Sequence, residues 1–316
     1  MKRSMKVLIA CDGSSHAEAA LVDLMWAGLP PDTSVLVATA CEICPPDPPL
    51  SGEEATEAVL STGRVSTALA RAYERAGKAQ SNAYLLAFGA SERVRRLNPM
   101  WDVGAEALSG APALEIIRRA RDWQADLIVV GSQGRSALGR LVSGSVSLKV
   151  AAEANCTVRV GRRALQDGDT TPIRIIVGVD GSEGAERAVH VVGSRAWPGG
   201  TQVRVVAVDD GRGPMRIAEV LLDEAALVTG CDEGAVNARL MVEWAREELT
   251  VAGCAASTEI REGDPQRVLL EEARTWDAHS IFIGSRGLGT ADEVSGFGRV
   301  AAGLVTGAHC SVEVVR

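Results

Sequence analysis

The sequence predicts an α/β fold built as two tandem, open, mostly parallel five-stranded sheets flanked by helices. Three observations carry that expectation. The chain has 316 residues, about twice the length of an ordinary domain of roughly 150. Its segments recur: Val7-Leu8-Ile9-Ala10-Cys11-Asp12-Gly13-Ser14 returns as Ile175-Ile176-Val177-Gly178-Val179-Asp180-Gly181-Ser182, 168 residues on (180 − 12). Each copy also alternates short β-branched runs with longer stretches of helical apolar spacing, the pattern of right-handed βαβ units around a parallel sheet.

In the first copy the β-branched runs place strands at about 6–11, 34–39, 105–108, 127–131 and 157–160. In the second they fall at about 174–179, 202–208, 256–261, 280–284 and 311–315. Segments such as Ala113–Ala120 carry apolar residues at helical spacing between them. From Gly110-Ala111-Pro112 and Gly263-Asp264-Pro265 onward the offset drops to 153 (263 − 110), so the first copy holds 15 more residues in its middle (168 − 153). That surplus lies within 44–95 and opens with Pro45-Pro46-Asp47-Pro48-Pro49; a rigid extended segment with one or two added helices is expected there. Loop composition over 162–172 marks a linker between a first domain at 1–161 and a second at 173–316.

Composition bounds the function. Hydrophobic residues at 46% suffice for a large core and exclude a disordered chain. A net charge of −8 and 3% aromatics argue against a basic nucleic-acid face and against stacking platforms. No apolar run approaches the ~18–20 residues of a membrane span, and Val7–Cys11 is too short for a secretory leader. Seven unevenly spaced cysteines suit a reducing cytoplasm.

Ligands of open parallel sheets sit beyond the carboxyl ends of the strands. Asp12 follows the first strand there, with Gly13 allowing a tight turn and Ser15 and Glu18 at capping-box spacing. Its carboxylate could accept from an adenine amino group or a ribose hydroxyl, or could only cap the helix. After the fourth strand, Gly131-Ser132-Gln133-Gly134-Arg135 leads to Arg140 and to Gly144-Ser145-Val146-Ser147 at a helix start. Glycines admit phosphates to the backbone, helix-start amides and the Ser145 and Ser147 hydroxyls can donate, and Arg140 can pair with phosphate oxygens. Ala40, ending the second strand, offers a backbone group to a base edge. A Walker A loop fails because Arg140-Leu141 stands where Lys-Ser/Thr is required, and a Rossmann fingerprint fails because Cys11-Asp12-Gly13 follows the first strand.

The spacing Gly-x2-Gly-x9-Gly-Ser in Gly131, Gly134, Gly144 and Ser145, with Asp12 after strand one, resembles the ATP-binding branch of the universal stress protein family. The resemblance spans nearly the whole chain as two tandem domains. It implies a Rossmann-like sheet of adenine-nucleotide-binding type and an ATP site, with or without Mg2+. Ala10, Asp12 and the Ala40 backbone would hold the adenosine. Val130, Gly131, Ser132, Gln133, Gly134, Arg135, Arg140, Gly144, Ser145, Val146 and Ser147 would line the ribose and phosphates. In the second copy Gly178, Asp180, Val208, Gly284 and Gly287 match, but ten residues separate Gly287 from Gly298 and Arg299 replaces the serine. Weak or no nucleotide binding is expected there. The family resemblance further implies a regulatory stress-response role, a homodimer or an intramolecular pseudo-dimer through the last strands, and an unidentified protein partner.

Other features are set aside. Cys41-Glu42-Ile43-Cys44 lacks two further zinc ligands, and His16, His190, His279 and His309 form no triad. Trp123 and Trp276 are read as core anchors, and Cys156 and Cys310 as small buried hydrophobes. Two rival functions stay open: a slow ATPase or adenylyl-transfer enzyme, and a scaffold that binds no nucleotide.

Overall fold

The computed structural model describes residues 4–43, 63–133, 145–162, 172–211, 233–287 and 297–316. The first half runs β1 (Lys6–Ala10), α1 (Ser15–Asp23) with a 3-10 turn at Leu24–Trp26, β2 (Ser34–Cys41), α2 (Gly63–Leu97), β3 (Asp102–Ser109), α3 (Pro112–Trp123), β4 (Leu127–Gly131), α4 (Ser145–Glu153) and β5 (Thr157–Gly161). The second half repeats the order as β6 (Arg174–Val179), α5 (Glu183–Ser194), β7 (Gln202–Asp209), α6 (Glu233–Val251), β8 (Ala255–Glu262), α7 (Pro265–Thr275), β9 (Ser280–Gly284), α8 (Arg299–Gly307) and β10 (Ser311–Val315). All ten expected strands are present. Strands β3 and β8 extend beyond their apolar runs because they are sheet edges, with half-exposed residues that carry no apolar signature.

The strand order is β3-β2-β1-β4-β5-β10-β9-β6-β7-β8. Each half is parallel, and β5 joins β10 antiparallel with Arg159 opposite Glu313, so the two five-stranded sheets are one open ten-stranded sheet. On one face α3, α4, α7 and α8 cover a continuous core that includes Val158, Val160, Val312 and Val314 at the junction. On the other face two separate cores form, one under α1 and α2 and one under α5 and α6. Period-2 alternation along β5 and β10 puts valines on the continuous face and Arg159 and Glu313 between the two separate cores.

Among the described residues the two halves differ most in the helix that follows their second strand: α2 has 35 residues and α6 has 19. The helix of the first half is longer by 16 residues, about 24 Å at 1.5 Å per residue. Residues 50–62, where added helices are expected, lie outside the described residues. The expected extended segment at 45–49 lies outside the described residues.

Helix α2 buries Ala76, Ala83, Ala87, Ala90 and Val94, small side chains at helical spacing that let it lie close to β2 and β3. Its outer face exposes Tyr73, Tyr84, Leu85 and Phe88, with Tyr84 and Phe88 stacked at 6.2 Å. Among the described residues, no helix is long and apolar enough to cross a membrane.

Trp123 and Trp276 pack against the continuous core as expected, but from its edge. They are half-buried, with Lys6 Nζ 5.5 Å from one ring centroid and Arg204 Cζ 4.2 Å from the other. Cys310 is buried as expected, and Cys156 is half-buried.

Candidate functional site

The strand order sets a switch point in the first half between β1 and β4, since the chain leaves β1 toward β2 on one side and returns to β4 on the other. Asp12 stands beyond β1 and Gly131-Ser132-Gln133 at the end of β4, so the two sequence elements meet at one edge. Gly13 has φ +73°, a conformation that favours glycine. The Asp12 carboxylate is half-buried, and its Oδ1 accepts the Ser14 N–H at 2.9 Å. Ser14, rather than Ser15, is the N-cap of α1: its Oγ accepts the Ala17 N–H at 3.2 Å. The tight Asp-Gly turn starts the helix one residue earlier than the capping-box spacing suggests.

Thr39 escaped the sequence reading. Its buried hydroxyl donates to the Cys11 carbonyl at 2.6 Å and so orients the backbone that presents Asp12. A hydroxyl inside the apolar run Val35-Leu36-Val37-Ala38 was the available signal. Cys11 N–H donates to the Ala38 carbonyl at 2.9 Å, so by alternation the Ala40 backbone faces the same side, beyond the end of β1. Ala10 and Ala40 are both half-buried there.

Gly131 has a packing cause. A Cβ on it would lie 2.8 Å from the Ala17 nitrogen and the His16 carbonyl carbon, so α1 crosses β4 in backbone contact. Gly284 repeats this, 2.6 Å from the Gly184 carbonyl carbon. These two glycines therefore serve a helix–sheet contact before any phosphate. Val130 is buried and can reach the edge only through its backbone. Ser132 and Ser147 are buried as well, and Ser147 Oγ donates to the Ser132 carbonyl at 3.5 Å. Gln133 is exposed and Val146 half-buried. Gly134, Arg135, Arg140 and Gly144 lie outside the described residues, as does the Ser145 side chain. Ser145 opens α4, so the positive end of this helix follows β4.

The second half closes the same edge. Asp180 Oδ1 accepts both the Ser182 N–H at 3.0 Å and its Oγ–H at 2.6 Å. A Cβ on Gly287 would lie 2.4 Å from Asp180 Oδ2, so the turn after β9 lies on the carboxylate. The Gly298 N–H donates to the Ser285 carbonyl at 2.8 Å, and Arg299 sits 3.5 Å from Asp264 Oδ2. Gly178 packs under Ile283 and Leu269, and Val208 is buried. No described group of three or more His, Cys, Asp or Glu side chains could hold a metal ion.

Comparison with known proteins agrees with this architecture. The model of the universal stress protein family matches residues 4–162 and again 173–316. A universal stress protein of Thermus aquaticus is 35% identical over 156 residues, 49% of this chain and 97% of that one. Among solved structures, a universal stress protein from Archaeoglobus fulgidus superposes with a TM-score of 0.56 at 20% identity, covering 99% of each chain. A putative universal stress protein from Pseudomonas aeruginosa gives 0.57 at 13%, covering 99% of this chain and 93% of that one.

Proposed function

The chain belongs to the universal stress protein family, and from that premise we propose that its first half binds ATP at the carboxyl edge of β1 and β4, as the ligand of a regulatory stress-response protein. The observation that carries this is the half-buried Asp12 at the switch point, with the N-terminal end of α4 following β4. A carboxylate there suits a ribose hydroxyl or the adenine amino group, and the N-terminal end of a helix suits phosphate. Any magnesium is held chiefly by the phosphates, since the described residues offer no ligand cluster. The second half supports the fold and leaves the nucleotide to the first, because ten residues separate Gly287 from Gly298 and Arg299 stands where the first half has Ser145. Its cysteines, free among the described residues, suit work in a reducing cytoplasm.

Titration calorimetry with ATP and magnesium tests this. One site per chain is expected, with Kd raised at least about tenfold in Asp12→Ala and unchanged in Asp180→Ala; tenfold is about 1.4 kcal/mol. Two sites, or equal losses in both variants, reject the division of labour. No binding by the parent chain favours the scaffold, and ADP release that vanishes in Asp12→Ala favours an ATPase.

A further inference from the structure

The junction of β5 and β10 relates two homologous strands by a local two-fold axis. Offsetting by 154 carries Arg159 onto Glu313, and these two residues are paired with each other across the ladder, flanked by Val160–Val312 and Val158–Val314. The axis therefore passes through one repeat position, which holds arginine in one half and glutamate in the other. In any symmetric pair of identical halves that position would face itself.

Four charges line up there, all nearly sealed from solvent. Arg159 makes a two-pronged contact with Asp23 of its own half, Nε to Oδ2 at 2.7 Å and Nη2 to Oδ1 at 3.1 Å. It reaches across the seam to Glu313 Oε2 at 3.1 Å, and Arg195 pairs with Glu313 within the second half. Ser311 adds a hydrogen bond to Asp23 Oδ1 at 2.7 Å. Side-chain exposures of 3%, 1%, 0% and 4% along Asp23, Arg159, Glu313 and Arg195 leave no water to screen a mismatch. Burial works to lower the Arg159 pKa, but the Asp23 and Glu313 carboxylates hold it above its ordinary range.

Shape repeats the asymmetry. Gly28 and Ala196, equivalent at an offset of 168, meet across the seam through Ala196 N–H to the Gly28 carbonyl at 2.8 Å. The Trp197 ring lies on Gly28, where a Cβ would stand 2.6 Å away. In a pair of second halves, the Cβ of Ala196 would occupy that space.

Other seam contacts are symmetric and do not discriminate. Arg162 donates to the Val305 carbonyl in the last turns of α8, and its equivalent Arg316 donates to the Ala151 carbonyl in the last turns of α4 at 2.5 Å. Such reciprocal caps would form in a pair of like halves just as well.

We propose that this seam is a selective interaction surface whose fitting partner is the unlike half of this chain. The buried Asp23–Arg159–Glu313–Arg195 row rejects pairs of like halves, and Trp197 on Gly28 rejects pairs of second halves a second time. The terminal-strand edges are thus closed to other copies of the same half.

The test begins with the folded full chain carrying a protease site within residues 163–171, cut after folding. Ordinary and nitrogen-15-labelled cut samples are mixed, unfolded and refolded together, and analysed by native mass spectrometry. Unlike pairs with scrambled isotopes and no like pairs are expected; like pairs near the chance proportion overturn the proposal. In Asp23→Leu/Arg159→Met/Arg195→Met/Glu313→Leu, pairs of first halves should appear while Trp197 still bars pairs of second halves. Strictly unlike pairing in that variant removes the role given to the charges. The intact chain supplies a measurement that needs no refolding of halves: a double-mutant cycle of Arg159→Met and Glu313→Leu should show coupling of at least about tenfold in the unfolding equilibrium. Independent effects of the two substitutions overturn the charge assignment.

Discussion

Both halves end their first strand in the same Asp-Gly-Ser turn, yet the glycine loop after the fourth strand ends in Gly144-Ser145 in one and Gly298-Arg299 in the other. In the first half Asp12 holds Ser14 and stands half-buried at the switch point. In the second, Asp180 takes two bonds from Ser182, and Gly287 lies over its other oxygen. The repeat preserved the Asp-Gly-Ser turn that the fold needs at this edge and let the glycine loop diverge. Comparing equivalent substitutions in the two halves separates the two kinds of requirement.

The largest effect is expected where the halves agree. Gly131→Val and Gly284→Val each drive a side chain into the backbone of the crossing helix, which cannot move aside as a flexible side chain could. Each should destabilise the chain by about 3 kcal/mol or more in chemical denaturation. A mild effect at Gly131 together with lost ATP binding would return that glycine to a purely ligand-driven role.

The reciprocal caps come next. Arg162→Ala and Arg316→Ala each remove a charged donor from helix carbonyls of the opposite half. Losses of about 2 kcal/mol are expected from each. A large difference between them would show that the seam is less symmetric in its caps than its geometry indicates.

A third comparison concerns the equivalent thiols. Burial pushes the Cys310 pKa from 9.0 up to about 12, and that of Cys156 to about 11. The folded chain keeps a proton that the unfolded chain releases, so this stability is complete below pH 9 and is lost as pH rises toward 12. One unit above the unfolded pKa the loss is about 1.4 kcal/mol. Denaturation of the parent chain and of Cys310→Ala at pH 8, 9 and 10 should give curves that converge with rising pH. Parallel curves would mean the thiol is not held neutral.

Much of this architecture was legible because duplication prints each strand twice. Val7–Ala10 and Ile175–Gly178 corroborate each other, as do Cys156 and Cys310 ahead of the last strands. What the sequence hid depends on contacts between distant residues. The reason for Gly131 lies at His16 and Ala17, and the alternation of valines in β5 and β10 did not announce that Arg159 and Glu313 would meet. Spacing cannot tell which way a helix turns its side chain, so the sequence did not show that Ser147 would reach the Ser132 carbonyl.

Helix α2 gives the smallest expected effect and the sharpest contrast in composition. The chain has only two tyrosines, Tyr73 and Tyr84, and both lie exposed on α2 beside Leu85 and Phe88. Helix α6, the shorter counterpart, shows a single large exposed apolar residue among its described positions, Val251 at its end. Exposed side chains contribute little to folding, so Tyr84→Ser/Phe88→Ser should leave the unfolding free energy within about 0.5 kcal/mol of the parent chain in chemical denaturation. The inner alanines, not the outer rings, hold α2 to the sheet, and Ala87→Asp should by contrast unfold that edge. If the outer double variant proved as damaging as the inner one, the rings would have to be buried in the protein in solution.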